Sequence, residues 1–381
     1  MRTFSFLRQF WIAASCSALM VQVSIAETGV SDREILIGQS IALQGGKNAY
    51  GLAAAEGVRL YVDAANAAGG INGRKIVLRV LDDDNNSTKA EANARQLLAD
   101  GVFILFGSIE GGPSNGVMKV AGELKVPFFG PMAGSPTMRR PYQPYVFPVR
   151  AEHRDEFRAL IQWGKTTGLK SVGFLHSDSE VGLSHLENVK AISAELGMQL
   201  AVAIPFKGDA KDGEIDAMLK LLADKKPDML FNHGSSDFYL KFIQKARAAG
   251  LKTNFMGVNS GSTQIAGALG PMAAGMVFSQ VVPSPAERKH LISREYQDAL
   301  LKANSKQEYS YGALEGYMTA KALVKGLRAA GGDLTRAGLI RSLESSRYDL
   351  GGVGVRYVPG DHEGSRFVDL SIVSRDGRFI H

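Results

Sequence analysis

Cysteine is nearly absent: one residue in 381, Cys16. It lies in a stretch that reads as an address and not as part of the fold. Arg2 and Arg8 come before an apolar run over 10–25, too short to span a bilayer comfortably, and Ser24-Ile25-Ala26 gives a small-x-small cleavage pattern. No stop-transfer pattern follows, so a secretory signal peptide cut after Ala26 is expected, with no membrane span in the mature chain. That mature chain would hold no cysteine, which excludes disulfide staples and thiolate metal sites and leaves burial as the source of stability. Charge of one sign is scarce as well. The net charge is +6, and the two leader arginines account for two of those charges, so no nucleic-acid partner is expected. Catalytic signatures are missing too: there is no G-x-S-x-G elbow, no G-x-x-x-x-G-K-[ST] loop and no dinucleotide G-x-G-x-x-G after the first strand. The histidines show no metal spacing. The acidic run over 82–86 resembles a calcium loop, but its register puts Ser87 where glycine is required and Asn93 where the bidentate glutamate belongs, so it reads as a strand-end turn and helix cap. No metal, no cofactor and no enzymatic activity are expected.

What is present is a repeating α/β grammar that begins at residue 32. Ile35, Leu36 and Ile37 form a short apolar run, as expected of a strand buried on both faces. Over 52–67, Ala55, Val58, Tyr61, Val62 and Ala65 recur at spacings of three and four, which predicts a helix. Gly69 and Gly70 end it, and a second strand over 76–81 completes a βαβ unit. Ligands in open α/β sheets sit beyond the carboxyl ends of the strands, and here the loop over 43–50 occupies that place, with Tyr50 at the helix start. The same alternation predicts helices near 89–99 and 115–124 with strands over 102–106 and 126–129. It restarts at 152 with helices over 152–166, 182–196, 213–223 and 237–249 and strands over 171–175, 199–204, 229–232, 254–258 and 277–282. Helices from Ala286, Tyr311 and Thr335 and a strand pair near 354–357 and 367–373 close the chain. Length and a 45% hydrophobic content are ample for two cores.

The segments ILIGQSIAL, AYGLAAAEG, NAAGGINGRKIVL with DDDNN, QLLADGVFILFGS, VPFFGPMAGSP, FIQKARAAGLKTNFMG and GSRFVDLSIVSRDGRF, in this order, resemble the type I periplasmic solute-binding proteins of ABC transporters, of the leucine/isoleucine/valine-binding kind. The resemblance covers essentially the whole mature chain. It implies an α/β protein of two doubly wound Rossmann-like lobes joined by a three-crossing hinge, with residues 27–149 plus 283–357 in one lobe and 150–282 plus 358–381 in the other. It also implies a periplasmic location, capture of a small-molecule ligand by hinge closure, and an inner-membrane ABC permease as partner. A binding protein feeding a sensor or chemoreceptor has the same physics with another partner.

The family's site positions transfer residue by residue. Tyr50 falls where an aromatic ring commonly covers the ligand. Ser108, Glu110 and Gly111 lie on one carboxylate-binding loop, with Gly111 replacing the usual serine, and Ala133, Gly134 and Ser135 lie on the other. In the second lobe the family's two tyrosines fall at Val181 and Ser235, and the acid that pairs with an amino group falls at Asn259. An amide cannot supply that charge, so the pocket is expected to be roomier and less negative than an α-ammonium group requires, suiting a carboxylate or amide head with a neutral tail. Glu110 and Asp237 are the alternative acids. Arg150, His153 and Glu156 sit near the first crossing, where cleft lining and surface exposure are both compatible with their positions.

Overall fold

In the computed structural model, residues 27–43, 48–207, 209–233, 236–332 and 334–381 are described; the stretch expected to be a signal peptide and Ser235 lie outside them. The chain opens with β1 (Glu34–Ile41), α1 (Ala49–Ala67), β2 (Lys75–Asp82), α2 (Ser87–Ala99), β3 (Ile104–Phe106), α3 (Gly111–Leu124), β4 (Phe128–Phe129) and β5 (Val146–Phe147). These strands form one parallel sheet in the order β2-β1-β3-β4-β5. The second unit follows with α4 (His153–Thr166), β6 (Ser171–Ser177), α5 (Glu180–Leu196), β7 (Gln199–Phe206), α6 (Asp212–Lys225), β8 (Met229–Asn232), α7 (Ser236–Ala248), β9 (Asn254–Gly257), α8 (Ser262–Leu269) and β10 (Val277–Gln280). Its order, β7-β6-β8-β9-β10, repeats that of the first sheet. Each sheet therefore has a topological switch point, between β1 and β3 in one lobe and between β6 and β8 in the other. The loops at their carboxyl ends are where a doubly wound fold holds its ligand.

After β10 the chain returns to the first lobe with α9 (Leu291–Lys302), α10 (Tyr311–Ala330), α11 (Arg336–Ser345), β11 (Arg347–Asp349), β12 (Gly354–Val358) and β13 (Asp361–Gly364), then finishes in the second with β14 (Asp369–Val373) and β15 (Phe379–Ile380). Two expectations are corrected here. The last two predicted strands do not pair: β12 lies between β11 and β13 in a three-stranded antiparallel sheet, while β14 adds antiparallel to β10. β13 stays paired with β12, and Ser365 N–H donates to Val149 O at 3.0 Å. The helix expected from Ala286 starts at Leu291, since Ser293 Oγ donates to Ser284 O and Gln297 Nε2 to Pro285 O, holding that segment as a loop.

Helix α10 organises the first lobe. It is buried along almost its full length and lies on α1 at backbone contact. A Cβ added at Gly57 would lie 1.8 Å from Ala313 O, and one at Gly316 2.0 Å from Ala54 O. Small residues at these positions let the two helices close on each other, and that close approach carries Glu315 to the floor between the lobes. No described helix is long and apolar enough to cross a membrane.

Candidate functional site

The two switch points face each other across a cavity of about 470 Å³. On the first lobe its wall is the start of α3 and the loop after β4. A sharp turn follows β3 there: Glu110 has φ 60° and ψ 154°, a region that costs a non-glycine residue roughly 1–3 kcal/mol and clusters at ligand clamps. Gly111 and Gly112, the first residues of α3, line the cavity, and the dipole at a helix start favours an anion. Ser135 lies beside them. On the second lobe the wall begins at α5, whose cap Ser179 accepts from Gly182 N–H at 3.2 Å. The walls come close: a Cβ placed on Gly111 would lie 3.6 Å from Val181 Cγ1.

Of the expected site residues, Glu110, Gly111, Ala133, Ser135 and Val181 line this cavity. The others are placed differently. Ser108 is buried with its hydroxyl 2.6 Å from Ser114 Oγ. Gly134 lies under His153, where an added Cβ would sit 2.5 Å from the ring. Tyr50 does not line the cavity: its ring lies against Gly312 and its hydroxyl donates to Glu315 Oε2 at 2.7 Å. Asn259 is fully buried, its backbone N–H donating to Glu156 Oε1 at 2.9 Å and its side chain to Glu315 Oε2 at 2.5 Å.

Beneath the cavity lies a charged floor, built by α4 and α10 from residues far apart in sequence. Glu156 and Arg150 form a fully buried ion pair, and Arg150 Nη1 also stands 3.6 Å from Glu315 Oε1. Glu156 further accepts from Ser279 Oγ at 3.0 Å and engages His153 Nδ1 at 2.7 Å. Burial alone would raise its pKa, but Arg150, His153 and these hydrogen bonds outweigh it and hold the carboxyl at about 2. Burial opposes the charge of Arg150, and Glu156 and Glu315 overcome it, keeping the guanidinium protonated. Glu315 and Glu110 go the other way: burial pushes both carboxyls up despite Arg150. Glu315 Oε1 and Asn259 Oδ1 have no hydrogen-bond partner.

The second-lobe wall is aromatic; sequence reasoning raised His153 as a cleft-lining residue and missed His185, His233 and Phe206. His153, His185 and His233 line the cavity with Phe206. Ring centroids are 5.2 Å apart for His153 and His185 and 4.6 Å for His185 and His233. Burial lowers all three pKa values: His185 goes well below the ordinary range, helped by His233 and His153, and His233 is pushed down to about 3. All three rings are therefore neutral near pH 7. Ser177 N–H donates to His233 Nε2 at 2.9 Å, which puts the His233 proton on Nδ1. His185 Nδ1 is buried without a partner. The available signal was position: His233 directly follows β8, at a carboxyl end beside the switch point. Among the described residues no group of three or more His, Cys, Asp or Glu side chains is arranged to hold a metal ion, and the run over 82–86 acts as a cap, Asn86 accepting from Lys89 N–H.

Residues 34–378 match the family model described as periplasmic binding protein. A Leu/Ile/Val-binding protein homolog 2 of Brucella abortus (strain 2308) is 24% identical over 304 residues, covering 78% of this chain and 80% of the relative. Among solved structures, a fatty acid ABC transporter substrate-binding protein from Thermomonospora curvata superposes with a TM-score of 0.83 at 22% identity, covering 93% of this chain and 92% of that one. A branched chain amino acid ABC transporter structure from Thermus thermophilus with bound valine gives 0.81 at 17% identity, over 92% and 96%. At such identities the structures establish a shared fold.

Proposed function

The chain belongs to the periplasmic binding protein family, and from that premise we infer that it is the extracytoplasmic receptor of an ABC importer, capturing a small organic solute with a carboxylate or amide head as its lobes close. The observation that carries this reading is the cavity of about 470 Å³ between the two switch points, within the range of small-molecule sites and lined from both lobes. Walls on separate lobes couple occupancy to closure, because a ligand touching both stabilises the closed form over the open one. The start of α3 with Ser135 suits the acceptor-rich head. Export and cleavage after Ala26 would place the protein in the periplasm, where an inner-membrane permease is the partner.

The test is a thermal-shift screen across amino acids, amides, aliphatic acids and aromatic acids, since a ligand of the native state alone raises the melting temperature. A hit is followed by small-angle scattering, where the radius of gyration should fall on saturation, and by co-purification with an inner-membrane ABC permease. A screen without any hit, or a tight ligand that leaves the scattering profile unchanged, counts against the receptor reading.

A further inference from the structure

We propose that the exposed face of the β11-β12-β13 sheet holds a doubly charged phosphate group between Arg347 and Arg356, at a second site apart from the interlobe cavity. Pairing of β11 with β12 sets Arg347 opposite Arg356. At the turn Leu350 N–H donates to Val353 O at 2.9 Å. Counting back from that hydrogen-bonded pair makes Arg347 and Arg356 a non-hydrogen-bonded one, the closer kind, with Cα atoms about 4.5 Å apart. Both arginines are exposed, while Tyr348, Val355 and Tyr357 between them are buried. Like charges set directly opposite destabilise a ladder, and no acid among the described residues pairs with either guanidinium. The acids nearby are committed: Asp349 Oδ1 accepts from the Gly351 and Gly352 N–H groups at 2.9 and 2.8 Å, and Asp361 Oδ1 from Glu363 N–H at 3.1 Å. Glu363 itself pairs with Arg140 and Arg366 at 3.2 Å and with Arg154 at 3.6 Å. Nor can an acid stand across from Arg356 on β13, because that place is Gly364, where a Cβ would lie 2.2 Å from Pro148 O. At Gly354 no atom lies within 4 Å of where a Cβ would stand, so the surface beside Arg356 is open. The two arginines thus border a depression of about 490 Å³, within the range of small-molecule sites. A phosphate group carries about −1.5 to −2 charges near neutral pH, enough to offset both arginines, where a carboxylate offsets one. Its oxygens also accept from two guanidinium forks at once.

Calorimetry on the mature protein at low ionic strength and pH 8 tests this with three probes: inorganic phosphate, glycerol 3-phosphate and, as the singly charged control, acetate. A phosphate probe should bind at one site about tenfold or more tighter than acetate, and Arg347→Gln and Arg356→Gln should each weaken it about tenfold or more. Free phosphate and a phosphomonoester share this chemistry, and the probes separate them: equal affinities assign the site to the free ion, and tighter glycerol 3-phosphate assigns it to the ester. Thermal melts supply a readout that a merely structural arginine would not give. In phosphate-free buffer either substitution should leave the melting temperature no lower than wild type, because it removes a like-charge pair, and phosphate at matched ionic strength should raise the melting temperature of the wild type alone. Phosphate probes binding no tighter than acetate, affinity unchanged in both variants, or variants that melt lower without phosphate would each overturn the proposal. Its failure leaves the receptor reading standing, since that reading rests on the interlobe cavity.

Discussion

Replacing Glu156 by glutamine tests the charged floor directly. The carboxylate takes the Arg150 guanidinium, His153 Nδ1, the Asn259 N–H and the Ser279 hydroxyl. Glutamine keeps the shape and one acceptor, yet it turns an NH₂ toward groups that themselves donate and leaves Arg150 with Glu315 at 3.6 Å as its remaining charged partner. Breaking a buried pair from one side costs about 3–5 kcal/mol. The titration gives a consistent figure: a carboxyl moved from 4.5 to about 2 is worth about 3 kcal/mol of linkage. Because the folded value is the lower one, this stability is fully present above pH 4.5 and disappears as pH falls through the window to about 2. Glu156→Gln should therefore lower the melting temperature by roughly 6–12 °C at pH 7 for a lobe-sized unit, and its loss of stability below pH 4.5 should be shallower than that of the wild type. Calorimetric melts from pH 2 to 7 read both effects. A variant within about 1 kcal/mol of wild type at pH 7, or acid limbs that run parallel, would refute the pairing as described.

Glu315 and Glu110 carry the opposite sign, since a folded pKa above 4.5 is a cost at neutral pH that is relieved as pH falls toward 4.5; this relief opposes the loss from His153, His185 and His233, whose folded values below 6.5 make stability fall as pH drops below 6.5, so Glu315→Gln should steepen the decline of the melting temperature from pH 7 to 4.5. Gly57→Ala should destabilise by about 1–3 kcal/mol or more in denaturant titrations, because its Cβ would sit 1.8 Å from Ala313 O and must push α1 off α10; an unchanged midpoint would mean the helices separate freely. Glu110→Gly should relieve the strained φ of 60° and stabilise the fold by about 1 kcal/mol, while altering ligand affinity measured by calorimetry; a destabilised variant would show that Glu110 is not strained.

The parts of this fold set by local periodicity were legible in the sequence. The βαβ grammar came through because strands buried on both faces and helices with one apolar stripe leave distinct patterns, and the family resemblance pointed to Glu110, Gly111, Ala133, Ser135 and Val181, which line the cavity. Pairing over long range was not legible: β12 and β14 carry similar alternation, and only the path of the chain through the hinge sends one to each lobe. The same limit hid the floor. Glu315 lies in a helix that reads as core, and its signal was a lone carboxylate between Gly312 and Gly316 on a face of small residues. The histidines were judged by metal spacing along the chain, whereas the sheet brings His185 and His233 together from different elements.

Three carboxylates around one arginine would at first make this cleft hostile to an anion, and the geometry explains why it is not. Glu156 is fully engaged by Arg150 and three further groups below the cavity, so its charge is compensated where it stands. Glu315 is held by Tyr50 and Asn259 and does not line the cavity, and burial favours its neutral form near the Arg150 charge. Glu110 alone reaches the cavity, where burial raises its pKa and Asn48 engages its carboxyl. The anion end of the cleft is then governed by the fixed donors of α3, which do not titrate.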